Sequence, residues 1–216
     1  DGKPYTGDTV SITGTAVGTY NSAHVASASS VTFSGLSLTG THAGNYSLTI
    51  QSPASATITT KTLTPTITNT SVTKVYDGTT TSSMTPTYSF SGLVSGDTDA
   101  TLTNTGIAYN FKDVATGNLI TVSGLSISSI TGNKSSVAGD YALDATSKTV
   151  AATITQKALT QSGLSVAASR AYDGTTAATV SGTAALLSAE TAGSGSTSDG
   201  KPYTGDTVSI TGTAVG

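Results

Sequence analysis

Cysteine and tryptophan are absent from this 216-residue chain, and methionine occurs once. Without cysteine there are no disulfide staples and no thiolate metal site, so each folding unit must hold itself together by burial and strand pairing. Charge is scarce too: Asp, Glu, Lys and Arg make up 10% of the chain, less than half of the roughly 25% usual for soluble domains. Glu190 is the only glutamate and Arg170 the only arginine. Paired catalytic carboxylates are thus in short supply, and no Ser/His/Asp spacing of a hydrolase is present. The net charge is −3, and the nine basic residues are scattered rather than clustered. That leaves no electrostatic footprint for nucleic acid. No apolar run approaches the ~18 residues of a membrane span, so no membrane insertion is expected.

What is present is hydroxyl. Threonine alone is about a fifth of the residues, and Thr is β-branched, stiff at χ1 and suited to strands. With helix formers so few, the expected class is all-β.

The chain repeats itself at two scales. "DGKPYTGDTVSITGTAVG" occupies 1–18 and returns unchanged at 199–216. An identity of that length points to a window cut from a tandem array whose period runs from Asp1 to Asp199, 198 residues. Inside that period lies a second repeat. "KVYDGTTT" at 74–81 returns as "RAYDGTTA" at 170–177, placing Tyr76 and Tyr172 96 residues apart. "ITTKTLT" at 58–64 returns as "ITQKALT" at 154–160, and "TGDTVSI" at 6–12 parallels "SGDTDATL" at 95–102. "VTFSGLSLTGTHAGNYSLTI" at 31–50 is echoed by "ITVSGLSISSITGNKSSVAGDYALDA" at 120–145. The organisation read from these matches is one complete module over 61–156. A second module is split, its C-terminal part at 1–60 and its N-terminal part at 157–216.

Within 61–156 short strands alternate with Gly, Asn, Asp and Ser turns. "KTVAATIT" at 148–155 should turn Val150, Ala152 and Ile154 inward. "GNLITVSGLSI" at 117–127 should set Ile120 and Val122 on one face until Gly124 interrupts. "DATLTNTGIAYNF" at 99–111 loses phase near Gly106, where a bulge or bend is expected. "LTPTIT" at 63–68 and "TPTYSF" at 85–90 complete the set. The expected architecture is tandem antiparallel β-sandwiches of immunoglobulin-like form in an elongated rod, with β-grasp-like modules as the alternative. The segment 186–201 reads as a Gly/Ser-rich loop.

The ordered set of Tyr-Asp-Gly-Thr-Thr, a Gly-Asp step, a "SGLS" strand, a "GDY" or "GNY" step and a closing "ATIT-K-LT" resembles the YDG-type repeat modules of large bacterial surface and secreted adhesins. The resemblance covers the whole chain. It implies an extracellular location at the bacterial cell surface and modules strung in tandem as a stalk or fibre. The residue supply separately leads us to expect no cofactor and no enzymatic activity.

The residues shared by the copies read as architectural. Asp77-Gly78 and Asp173-Gly174 suit a tight turn in which Gly takes positive φ and Asp caps the backbone. Tyr76 and Tyr172 are expected to bury a ring and place the hydroxyl on a backbone partner, as a tyrosine corner does. Tyr46 and Tyr141 pose the same arrangement at the other end of the module. Asp97 and Asp99 could begin a calcium site, but Val10 stands where the other copy would need Asp99. His24 and His42 align with Asp113 and Val137, so no shared metal or acid/base role is expected. A Lys-to-Asn isopeptide cross-link at Lys74 would suit a stalk, yet Arg170 replaces that lysine in the second copy. The Thr row 64, 66, 68, 70 reads as a solvent-facing strand edge rather than an ice-binding face.

Two functions from different classes remain in view. The first is a structural repeat that spans distance, its partners being adjacent repeats met head to tail. The second is a module that binds a surface glycan or host protein by avidity. The split halves would each expose sheet edges, so 157–198 are expected to complete the sheet begun by 1–60 of a neighbouring repeat.

Overall fold

The computed structural model describes residues 2–215. In chain order its strands are β1 (Ser11–Tyr20), β2 (Ser30–Thr39), β3 (Ala54–Ser55), β4 (Lys61–Ile67), β5 (Val72–Val75), β6 (Tyr88–Ser91) and β7 (Asp97–Thr103). They continue as β8 (Gly106–Tyr109), β9 (Leu119–Ser123), β10 (Ser126–Gly132), β11 (Tyr141–Leu143), β12 (Ser147–Thr155), β13 (Gln161–Val166) and β14 (Val180–Leu186). The only helical pieces among the described residues are single 3-10 turns, Ala43–Asn45 and Ala138–Asp140. The chain is all-β, as its Thr-rich composition implied. Its strands form several small sheets: β1-β2-β3, β7-β10, β11-β4-β6, β5-β12-β9-β8 and β13-β14.

The strongest alternation is obeyed. In β12, Ala152 and Ile154 are buried and Val150 half-buried, while Thr149, Thr153 and Thr155 face solvent. In β9, Ile120 and Val122 are fully buried. Antiparallel pairing sets β12 beside β9 and β8 on the other side of β9. Other pairings depart from the antiparallel expectation. Residues 141–143 of β11 run parallel to 61–63 of β4, and 152–155 of β12 run parallel to 72–75 of β5. A parallel pair needs a long crossover, and the whole intervening chain supplies it in each case.

The phase loss near Gly106 is a bend at Thr105, and the bend is also a change of sheet. β7 ends at Thr103 paired with β10, whereas β8 starts at Gly106 paired with β9. The Thr105 N–H donates to the Ser123 carbonyl across that break. Gly124, at φ 63°, performs the reverse switch between β9 and β10. Thr66, Thr68 and Thr70 face solvent as expected, but not from an edge, since β4 is the middle strand of its sheet. Leu63 and Pro65 fill the buried face beneath the threonines.

These switches sort the chain into two compact units, neither of them contiguous. One takes the chain through Pro65 with Phe90–Thr103 and Ser126–Asp144, and the other takes Thr66–Ser89, Asn104–Leu125 and everything from Ala145. In the first, Leu63, Ala100 and Tyr141 are buried under Phe90, Leu93, Ile127, Ile130 and Leu143. In the second, Tyr109, Ile120, Ala152 and Ile154 are buried with Val72, Met84 and Val150 against them.

The duplicated segment is a controlled experiment on context. Residues 11–18 lie in β1, hydrogen-bonded to β2, whereas the same letters at 209–215 form no strand. Local sequence is identical, so the presence of a partner strand decides the conformation. No described helix is long and apolar enough to cross a membrane.

Candidate functional site

The Tyr-Asp-Gly motif builds the same local turn twice. Asp77 Oδ1 accepts the Thr79 N–H at 2.9 Å and the Thr79 hydroxyl at 3.0 Å. Asp173 Oδ1 accepts the Thr175 N–H and hydroxyl, both at 3.0 Å. This is an Asx turn, with the carboxylate satisfying the backbone two residues on. The cation three residues before the Asp closes it. Lys74 Nζ donates to Asp77 at 2.7 Å and to the carbonyls of Thr79 and Thr81 at 2.7 and 3.1 Å. Arg170 repeats the pattern on Asp173 at 2.8 Å and on the carbonyls of Thr175 and Ala177. The Lys-to-Arg exchange between copies therefore keeps a cation that gathers loop carbonyls. Burial alone would raise the Asp77 carboxyl, but Lys74 and the Thr79 donors outweigh it and hold it below the usual carboxylate value.

Gly78 and Gly174 both adopt φ 74°, a left-handed conformation costing an L side chain about 1–2 kcal/mol. They differ in surroundings. A Cβ on Gly78 would stand 2.7 Å from the Ala192 Cβ, whereas one on Gly174 meets nothing closer than the Tyr172 hydroxyl at 3.9 Å. Gly78→Ala is accordingly expected to lower the melting temperature more than Gly174→Ala. Equal shifts in paired thermal scans would show that the turn at 77–79 is not packed as described.

The four motif tyrosines have different fates. Tyr141 is 5% exposed and belongs to a core. Its hydroxyl donates to Asp97 Oδ2 at 2.6 Å and accepts the Val94 N–H at 2.9 Å. Burial, then the bond to Asp97, pushes that hydroxyl's pKa up. Tyr46 repeats the pattern, donating to Asp8 and accepting the Tyr5 N–H at 2.9 Å. Tyr76 is half-buried, and its hydroxyl donates to the carboxylate of Asp206 at 2.9 Å instead of a backbone group. Its ring meets Tyr203 edge-on, with centroids 5.8 Å apart. Tyr172 is 98% exposed, so the expected buried ring is not found there. What covers Tyr76 is the 199–206 segment, and nothing described plays that part for Tyr172.

These contacts define one recurring device. Residues 5–8, 94–97 and 203–206 form three copies of a turn. In each, the Asp N–H returns to the carbonyl three residues back, at 3.1, 3.0 and 3.1 Å. In each a glycine precedes the Asp with φ of 97°, 103° or 98°, as a type II turn requires. In each the Asp takes a tyrosine hydroxyl, from Tyr46, Tyr141 and Tyr76 respectively. The sequence showed the Gly-Asp step and the Gly-Asn/Asp-Tyr step as separate repeats. Their recurrence together in both modules was the signal that they clasp each other.

Asp97 is buried within the clasp, while Asp99 Oδ1 accepts the Ala100 N–H. His24 Nδ1 lies 2.8 Å from Asp140 Oδ2. His42 Nδ1 accepts the Thr9 N–H at 2.9 Å. Among the described residues no three His, Cys, Asp or Glu side chains gather as a metal site. The loop at 186–201 yields the one cluster the sequence did not signal, because Glu190 and Asp199 both reach Lys157.

Fold and site together define an all-β chain in which the aspartates of the recurring motifs close turns of the chain itself. The chain belongs to the YDG domain family, whose model matches residues 2–56 and 59–149. Neither the curated proteins nor the solved structures provide a match.

Proposed function

We propose that the chain is a structural repeat segment of an extracellular bacterial fibre or adhesin stalk, whose work is to span distance. The observation that carries this reading is the use made of the repeated residues. Asp8, Tyr46, Asp97, Tyr141, Asp77 and Asp173 are all engaged in clasps and turns of the chain itself. Residues that recur in order to fold are what a stalk repeats.

The partners in this reading are adjacent repeats, head to tail. Every residue of β1 and of β13 is exposed, including Ile12 at 61% and Val166 at 59%. Such apolar faces are costly to leave in water. Residues 157–198 of one repeat then complete, with 1–60 of the next, an immunoglobulin-like sandwich. Tyr172 gains the cover that 199–206 gives Tyr76, and residues 209–215 become a strand as 11–18 already are. The ring of Tyr172, 98% exposed, favours a second reading, a module that binds a surface glycan or host protein. Stacking on one ring gives little affinity, and repetition would have to supply the rest.

Small-angle scattering tests the stalk. An extended segment has a radius of gyration well above the ~17 Å of a compact chain this long. A value near that figure overturns the proposal.

A further inference from the structure

Lys157 is withdrawn from solvent to a degree rare for lysine, its side chain only 3% exposed. Its Nζ lies 2.8 Å from Glu190 Oε1 and 3.0 Å from Asp199 Oδ1. The Tyr203 ring closes the remaining side, its centroid 4.0 Å away. Lys61, at the matching position of the other copy, is exposed. The burial is therefore made by the 186–206 segment and not by the residues next to the lysine in the chain.

That segment is fixed by its backbone. The Glu190 N–H donates to the Pro202 carbonyl at 3.0 Å, the Thr204 N–H to the Glu190 carbonyl at 2.6 Å, and the Thr160 N–H to the Gly200 carbonyl at 2.9 Å. Gly195 has φ 74°, and a Cβ there would sit 2.2 Å from Glu190 Oε2. Only glycine lets the loop close on that carboxylate. An amine and two carboxyl groups are thus held in reach of one another by structure.

We propose that Lys157 and Asp199 are joined by an intramolecular isopeptide bond, with Glu190 carrying the proton. The roles of the two carboxyls differ by their neighbours. Asp199 Oδ1 also accepts the Lys201 N–H at 3.1 Å, a donor placed to stabilise the oxyanion formed on attack. Glu190 is the less exposed of the two, 12% against 22%, and contacts Lys157 at the shorter distance. Glu190 takes a proton from Lys157, and the freed lone pair attacks Cγ of Asp199. The Nζ–Cγ bond forms and the Cγ–Oδ2 bond breaks. Of the three ammonium protons, one stays on the amide nitrogen and two leave with Oδ2 as water, so charge and atoms balance without any co-reactant. Holding the groups in contact replaces a bimolecular condensation with a unimolecular one.

Before reaction the pair rests in its ionic form. The Lys201 N–H, opposed by burial and assisted by Lys157 and Glu190, holds Asp199 at about 2. Burial disfavours the Lys157 cation, yet Glu190 and Asp199 outweigh it and push its pKa up. The neutral pair is therefore scarce, which makes the bond a slow maturation step. Once made, it ties position 157 to the loop and restricts the unfolded chain.

Intact-mass spectrometry on fresh and aged protein reads the bond directly. The mass should fall below that of the sequence by one water, and fragmentation should yield a branched peptide joining Lys157 to Asp199. Asp199→Asn should lose ammonia in place of water. Lys157→Arg should keep its full sequence mass, and Glu190→Gln should slow the loss. A wild-type mass that stays at the sequence value after prolonged incubation overturns the proposal. So does a branch through Glu190, with ammonia lost from Glu190→Gln and water still lost from Asp199→Asn. Fragmentation of the wild type decides the matter even where a variant fails to fold.

Discussion

Tyr141→Ala should destabilise the protein by about 3–5 kcal/mol, the range for removing a large aromatic from a core. The ring is 5% exposed and packs with Leu63 and Ala100, so its loss leaves a void lined by apolar groups. Tyr141→Phe separates the ring from the hydroxyl. It keeps the packing but strips Asp97 Oδ2 of its donor and the Val94 N–H of its acceptor. Asp97 is 9% exposed and its Oδ1 already has no hydrogen-bond partner. The phenylalanine variant should therefore cost about 1–3 kcal/mol, the penalty for buried polar groups left unsatisfied. Adding Asp97→Ala to Tyr141→Phe should cost less than Asp97→Ala alone, because the two changes remove one interaction. Urea unfolding of the set supplies the numbers. A phenylalanine variant indistinguishable from wild type would mean that the clasp contributes nothing.

How far the fold was legible depends on the distance over which each feature is encoded. The strand faces of β9 and β12 are written in alternation of adjacent residues, and Ile120, Val122, Ala152 and Ile154 lie buried as that pattern required. The parallel pairings of 141–143 with 61–63 and of 152–155 with 72–75 leave no local trace. Ladder direction is set by which distant strand arrives, and a strand's own residues carry little of that information. Tyr5 and Tyr203 state the limit most sharply. They occupy the same position in identical sequences, yet one is 81% and the other 2% exposed. The difference arises from Lys157 and Tyr76, which pack against the Tyr203 ring. The turn chemistry of Asp77 and Asp173 was readable because an Asx turn is closed within a few residues. The Lys157 cluster was not, since its carboxylates sit in a loop without periodicity and its partners are far apart in the chain.

Ile120→Ala should be the second severe change, at about 2–5 kcal/mol, with Ile120→Val nearer 0.5–1.5 kcal/mol. β9 is flanked by β12 and β8, and Ile120 faces Tyr109, Ala152 and Ile154 at zero exposure. A cavity there has walls on every side. Neighbouring strands are hydrogen-bonded into the sheet and cannot collapse onto it without breaking ladder pairs. The graded pair of substitutions separates cavity formation from loss of strand propensity, because valine keeps the β-branch and removes only one methylene. Ile12→Ala is the contrast. Ile12 is 61% exposed on β1, and an exposed position should shift stability by no more than about 0.5 kcal/mol. If β1 is covered by an adjacent repeat in a longer array, Ile12→Ala should become costly there while Ile120→Ala costs the same in both. Thermal or denaturant unfolding of single-repeat and tandem-repeat proteins measures the difference. An Ile12 effect that does not grow with repeat number would show that β1 remains a solvent face, and the head-to-tail reading would fall.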